Sequence, residues 1–227
     1  MNHLDFWHTQ GYAQLPGIVS STTCSQILTA LETSERKAGS RQLLQQPWCA
    51  DLAKELAHHP LIARLLAQPA VAVQCNLFQK TTNPHHGRNW LVSLHQDLSI
   101  PALNPVRAPG WQGWSVKEGM GFVQAPAHVL EQMVALRVHL DDCGPLDGAL
   151  RVVPGSHRFG VMTEVPPDTA HGTDVLCTAK IGDVLALRPL LLHASSKATG
   201  TSRRRVLHFV YGPRQIHEQH CWPLALY

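Results

Sequence analysis

The chain has 227 residues, 44% of them hydrophobic, and a formal net charge of +3, which suits one large β-rich domain and excludes a disordered chain. Lysine and arginine are scattered except in the run Arg203-Arg204-Arg205, so the charge pattern gives no basic face for nucleic acid. No apolar run reaches the roughly 20 residues of a membrane-spanning helix, and we therefore expect no membrane partner.

The N-terminus and the cysteines suggest a cellular compartment. Residues 1–7 lack the basic stretch followed by an apolar stretch that marks a secretory signal. The six cysteines show no C-x-x-C spacing, which argues against a zinc knuckle or a disulfide framework. We therefore expect reduced thiols and a cytoplasmic location.

The first 69 or so residues are predicted to form supporting helices. The run Ser20-Ser21-Thr22-Thr23 offers N-caps for a helix through Ile27 and Leu31, whose apolar residues recur at helical spacing. A second helix is predicted over 52–66, with a break or bend near Pro60.

From residue 70 onward the pattern changes to short strands. They are predicted over 70–80, 90–97, 133–141, 149–153, 175–181, 184–187 and 206–211. Turn signals such as Asp147-Gly148 and Gly182-Asp183 separate several of them. This order predicts a single α+β domain with a closed or double-sheet β core over about 70–212 and a C-terminal tail over 213–227.

The segment Leu98–Gln132 does not fit the regular strand spacing. It contains four prolines, four glycines, Trp111 and Trp114. Long irregular segments of this kind are either binding loops or ordinary surface excursions, and the sequence leaves both alternatives open.

His95-Gln96-Asp97 is the segment that points most directly to chemistry. Side chains alternate along a strand, so His95 and Asp97 lie on the same face. A pair of this kind is compatible with zinc, with iron or with a purely structural role. Two histidines and one carboxylate on one side of a metal are typical of non-haem Fe(II) oxygenases, and His193 can complete that set.

Arg204 adds a cationic group to this pattern. It opens a strand on which Arg204, Val206 and His208 share one face, and we expect that face to line the interior of the β core. A guanidinium there could grip a carboxylate with two hydrogen bonds. The alternative is that Arg203-Arg204-Arg205 forms a solvated turn.

Together these segments resemble the phytanoyl-CoA dioxygenase family of Fe(II)/2-oxoglutarate-dependent oxygenases. The resemblance spans roughly residues 70–212, in the order found in the family. It is carried by LHQDL (94–98), DGALRVVPGSH (147–157), GDV (182–184), His193 and Arg204.

The resemblance implies a double-stranded β-helix, a cupin-like jelly roll, with helical support. It also implies that His95, Asp97 and His193 bind Fe(II), and that Arg204 pairs with the distal carboxylate of 2-oxoglutarate. The cofactors would be Fe(II), 2-oxoglutarate and O2, and the reaction would be hydroxylation of a small organic molecule with release of succinate and CO2.

Two further co-substrate contacts follow from the resemblance. Family members place polar groups on the strand before the His-x-Asp strand, and Lys80 occupies that region with Gln74, Asn76 and Phe78 on its face. Ser195, two residues after the distal histidine, is another candidate contact.

Arg137 departs from the family, which often has an aromatic residue at this position. The opposite face of its strand is apolar, so we expect Arg137 to point into the interior. A buried guanidinium needs an anion, which could be a carboxylate of the co-substrate or substrate, or an internal acid. Arg151 leaves the same alternatives open.

Two other functions remain compatible with parts of the pattern. A zinc-dependent hydrolase or isomerase on a cupin-like barrel would use the same three ligands, although it would not need Arg204. A non-catalytic binding protein would not need an intact ligand set. The identity of the substrate and the oligomeric state cannot be read from the sequence.

Overall fold

The structure is a computed structural model that describes residues 3–33, 40–66, 69–83, 85, 89–164, 174–201 and 203–216. The helices are α1 (His3–Gln10), α2 (Ser21–Thr33), α3 (Pro47–His58), α4 (Pro60–Leu66) and α5 (Ala127–Leu130), with 3-10 turns at Leu43–Gln45 and Ser156–Phe159. None of the described helices combines the length and apolar character needed to cross a bilayer.

The strands form three antiparallel sheets. They are β1 (Tyr12–Leu15), β2 (Ala70–Thr81), β3 (Val92–His95), β4 (Ser99–Pro101), β5 (Gln112–Lys117), β6 (Met120–Gln124), β7 (Val134–His139), β8 (Leu150–Val152), β9 (Val175–Cys177), β10 (Val184–Leu187), β11 (His193–Ser195) and β12 (Arg203–Pro213). The order is β1-β10-β7-β12-β2 in the largest sheet, β3-β11-β8-β9 in the second and β4-β6-β5 in the third. The first two sheets form the double-stranded β-helix expected from the sequence. The space between them is called the lumen below.

The predicted helices are confirmed, with sharper boundaries. The backbone N–H of Thr23 donates to Ser20 Oγ at 3.0 Å, so Ser20 caps α2. Pro47 occupies the first turn of α3, where a missing N–H costs nothing. The predicted long helix is divided at Pro60, which begins α4.

The prediction that the first 69 residues are helical was wrong for β1. Tyr12–Leu15 pairs with β10 and extends the large sheet by one strand. Several predicted strands are also shorter than expected, because 90–97 contracts to Val92–His95 and 175–181 to Val175–Cys177. The predicted C-terminal tail beyond residue 216 lies outside the described residues.

The segment Leu98–Gln132 forms the third sheet rather than an irregular loop. β5 and β6 are joined by a tight hairpin turn at Glu118 and Gly119, both with positive φ (54° and 75°), as a two-residue hairpin turn requires. The tip is attached to the helical layer, because Arg41 Nη1 donates to Glu118 Oε1 at 2.9 Å and Gln42 Nε2 donates to the Glu118 carbonyl at 2.7 Å.

The largest hydrophobic core lies between the helices and the outer face of the five-stranded sheet. Val134, Leu136 and Val138 of β7 belong to the same buried cluster as Leu52 and Ile62 of the helices. Alternation then turns Arg137 and His139 toward the lumen, where both are buried. The helices therefore cover one face of the sheet and leave the other to build a site.

We expect Leu136→Ala to reduce the free energy of unfolding by about 2–5 kcal/mol, because Leu136 is fully buried in this core and truncation leaves a cavity. The matched control is Leu103→Ala, at a position where the side chain is 54% exposed, and its effect should stay within about 0.5 kcal/mol. Urea denaturation measures both. Similar losses in the two variants would contradict the assignment of the core.

Candidate metal centre and its lumen

Three candidate metal ligands meet at one end of the lumen. β11 pairs antiparallel with β3 so that His193 lies directly opposite His95. Asp97 follows the end of β3, with Oδ1 3.7 Å from His95 Nε2 and Oδ2 3.5 Å from His193 Nε2. The donor atoms of the three residues all lie within 4.8 Å of one another. The structure therefore brings together the three residues that the sequence singled out.

Both imidazole rings are oriented by backbone carbonyls close to them in the chain. The Nδ1 atoms of His95 and His193 lie 2.8 and 2.9 Å from the carbonyl oxygens of Ser93 and Leu191, each two residues earlier. A carbonyl oxygen can only accept, so each Nδ1 carries a proton, and each Nε2 is directed toward Asp97. Such a bond on the second nitrogen is typical of histidines that hold a metal.

The charge on Asp97 suits a cation-binding role. Burial alone would raise the pKa of its carboxyl, but His193, His208, His95 and Arg137 together lower that pKa below its usual value. His193 is a neutral ligand candidate, because burial lowers the pKa of its ring despite the opposing effect of Asp97. Two imidazole nitrogens and one carboxylate are a ligand set that fits a divalent metal ion.

Gln96 fastens the two ligand segments together, a role that the sequence analysis missed. Its side-chain Nε2 donates to the carbonyls of Gly160 and Leu190 at 2.8 and 2.7 Å, and its Oε1 accepts from the N–H of Met162 at 2.8 Å. The N–H of Asp97 donates to the Pro189 carbonyl at 2.9 Å. The only indication of this role in the sequence was the position of a glutamine side chain between two candidate metal ligands.

Arg204 lies in the lumen, as its strand pattern predicted, and is only 3% exposed. Its Nη1 donates to the Gly148 carbonyl at 2.5 Å, while its Nε has no hydrogen-bond partner among the described residues. Gly148 has φ +67°, and a Cβ there would lie 2.6 Å from the Ser196 carbonyl oxygen. The turn that presents this carbonyl to Arg204 therefore requires glycine at position 148. The solvated-turn alternative is therefore wrong for Arg204.

Lys80 and Ser195 lie together beside Arg204. Lys80 is paired with Arg204 across β2 and β12, and its Nζ donates to Ser195 Oγ (2.7 Å), the Ser195 carbonyl (3.2 Å) and the Ser196 carbonyl (2.7 Å). Burial, followed by repulsion from Arg204 and Arg137, lowers the pKa of Lys80 to about 7. The Nζ of Lys80 thus binds the end of β11, the strand that carries His193, and the residue that follows it.

The open questions about Arg137 and Arg151 have different answers. Arg151 Nη1 forms an ion pair with Asp174 Oδ2 at 2.7 Å, which supports the structural alternative. No described carboxylate lies within 4.0 Å of Arg137, so an internal ion pair does not explain it. Its Nη1 lies 3.4 Å from Nδ1 of His208, whose Nε2 is in turn 3.9 Å from Asp97 Oδ2.

Comparison with known proteins gives one family and several similar structures. A sequence profile described as phytanoyl-CoA dioxygenase (PhyH) matches residues 7–206. A similar protein is the L-proline trans-4-hydroxylase of Streptomyces griseoviridis, 26% identical over 191 residues. That alignment covers 72% of this chain but only 62% of the relative's length.

The similar solved structures support the fold. One is the non-heme alpha ketoglutarate dependent carbocyclase SnoK from nogalamycin biosynthesis, with a TM-score of 0.67 and 21% identity, covering 93% of this chain and 83% of that one. Another is HygX from Streptomyces hygroscopicus with nickel, 2-oxoglutarate and hygromycin B bound, with a TM-score of 0.64 and 22% identity, covering 93% and 86%.

The burial of His139 in the lumen predicts how the free energy of unfolding depends on pH. Burial, followed by repulsion from Arg137 and Arg204, lowers the pKa of His139 to about 3, against about 6.5 for an exposed imidazole. Between pH 6.5 and pH 3, the imidazole of residue 139 is protonated in the unfolded chain but not in the folded one. The free energy of unfolding therefore falls as the pH falls through this range. The expected loss is about 2 kcal/mol between pH 6.5 and pH 5.

His139→Gln should remove that part of the pH dependence in urea denaturation. The matched control is His58→Gln, on the exposed surface of α3, which should retain the full slope. An unchanged slope in His139→Gln would contradict the buried neutral state of this ring.

Proposed function

Because the chain belongs to the phytanoyl-CoA dioxygenase family, we propose that it is an Fe(II)- and 2-oxoglutarate-dependent oxygenase that hydroxylates a small organic molecule and releases succinate and CO2. The observation that carries the proposal is the arrangement of His95, Asp97 and His193 at one end of the lumen with Arg204 further along the same lumen. A zinc hydrolase would explain the three ligands but not the buried guanidinium.

In this proposal His95, Asp97 and His193 hold the metal from one side and leave its other positions open. Bound iron would supply oxygen activation, with 2-oxoglutarate as the source of electrons. The chain itself orients the ligands through the Ser93 and Leu191 carbonyls and Gln96.

Arg204 is proposed to bind the distal carboxylate of 2-oxoglutarate, because its Nε is buried without a partner. Ser195 would add a hydroxyl to that end of the site, where Lys80 holds it in place. Lys80 would therefore act on the co-substrate through its charge and through Ser195 rather than as a free ammonium group.

We also propose a cytoplasmic enzyme that acts on a diffusible small molecule. The five described cysteines are free and buried, consistent with a reducing compartment. The modest net charge of +3 gives no reason to expect a nucleic-acid substrate.

Metal binding tests the ligand set directly. Asp97→Ala and His193→Ala should each weaken Ni(II) binding by about 100-fold or more, because each removes one of three donors, whereas loss of a merely supporting group costs about 10- to 100-fold. Isothermal titration calorimetry without oxygen measures this. His58→Ala, an exposed histidine, is the control, and equal affinity in all four proteins would contradict the site.

Turnover tests the reaction class. Wild-type protein with Fe(II), ascorbate and 2-oxoglutarate should release succinate, and release should increase with an accepted substrate. Asp97→Ala should abolish release, because it removes the anionic ligand. Failure of the wild type both to bind 2-oxoglutarate and to release succinate across a substrate screen would favour the hydrolase alternative.

A further inference from the structure

Arg137 is a buried cation that the proposed function does not yet use. It lies on the lumen face of β7, in register with His208 of β12, and is 5% exposed. Its guanidinium carbon lies 5.2 Å from the centre of the Phe78 ring, and its Nε has no hydrogen-bond partner among the described residues. An aromatic face and a neutral imidazole do not neutralise a buried guanidinium, so the arrangement is costly unless an anion binds there.

The surroundings of Arg137 increase this need for an anion. Burial, followed by repulsion from Arg204, lowers the pKa of Arg137 to about 10, and among the described residues only one carboxylate, Asp97, opposes the shift. Asp97 itself faces His95 and His193 in the candidate metal site. Arg137 therefore shares a dry space with a second guanidinium, and no described carboxylate lies within ion-pair distance of it.

The position of Arg137 identifies which anion fits. On β12, Arg204 and His208 lie four residues apart on the lumen face. Arg137 is opposite His208, whose Nε2 lies 3.9 Å from Asp97 Oδ2. A molecule that extends from the metal ligands to Arg204 therefore lies alongside the Arg137 side chain. A 2-oxo dicarboxylate carries two negative charges, which suit a path lined by two guanidinium groups.

Side-chain exposure shows which side of the site is open to an entering substrate and which side is closed. The side chains of His95 and Asp97 are 40% and 37% exposed, whereas those of His193 and His208 are 4% and 6% exposed. The lumen thus opens at His95, and a substrate entering there meets the metal ligands first. Arg137 lies on the closed side, where the co-substrate is expected.

We propose that Arg137 and Arg204 together form a two-guanidinium site for the 2-oxoglutarate dianion, with Arg137 taking the place of the aromatic residue common in the family. This inference rests on the proposed function, because it concerns the same co-substrate. Its consequence is a strong preference for dicarboxylate 2-oxo acids over monocarboxylate ones such as pyruvate.

Equilibrium binding to the Ni(II)-loaded protein without oxygen tests this site independently of activity. Calorimetry gives dissociation constants for 2-oxoglutarate and pyruvate in the wild type, Arg137→Met, Arg137→Lys and Arg204→Met. Arg137→Met should weaken 2-oxoglutarate binding by roughly 10- to 100-fold, as expected for a lost charge-assisted hydrogen bond, and change pyruvate binding less than threefold. Arg137→Lys should lose less, because it keeps the charge.

Arg64→Met, at an exposed position on α4, is the matched control and should bind both acids as the wild type does. Thermal unfolding of each variant confirms that it is folded, and Arg137→Lys carries the test if Arg137→Met is not. The inference would be overturned if the Arg137 variants bound 2-oxoglutarate with wild-type affinity. It would also be overturned if they lost equal affinity for 2-oxoglutarate and pyruvate. A wild type that binds no 2-oxoglutarate would instead contradict the proposed function.

Discussion

The antiparallel pairing of β3 with β11 is the contact on which the candidate site depends. It sets His95 beside His193, although the two lie almost a hundred residues apart in the chain. Each ring is then oriented by the carbonyl two residues before it, and Gln96 joins the two segments. A slip of one residue between these short strands would turn one histidine out of the lumen, so the register is also the geometry of the metal site.

The large sheet serves two opposing purposes on its two faces. Leu136 and its neighbours bury apolar surface against the helices, while Arg137 and Arg204 bury charge on the other side. Apolar burial stabilises the folded state, whereas unpaired buried cations reduce that stability. The lumen therefore depends on the helical layer, because apolar burial against the helices offsets the free-energy cost of a dry, positively charged interior.

Local patterns in the sequence were sufficient for much of this picture. Alternation correctly assigned the faces of β7 and β12, and with them the lumen positions of Arg137 and Arg204. It could not reveal the pairing of β1 with β10, because a four-residue strand between helices has too little periodicity to be recognised. The bonds of Gln96 and Lys80 were equally invisible, since both depend on segments that only the folded chain brings near.

The hairpin turn at Glu118 and Gly119 has a mechanical consequence. Glu118 accepts hydrogen bonds from Arg41 and Gln42, and at the other end of this sheet Val123 of β6 belongs to the same buried cluster as Val71 of β2. Because the third sheet is attached at both of its ends, it cannot rotate about a single hinge. One of the two attachments would have to break before the sheet could move as a whole. The segment that follows Asp97 is thus closer to a rigid edge of the site than to a mobile lid. Such an edge selects substrates by their shape.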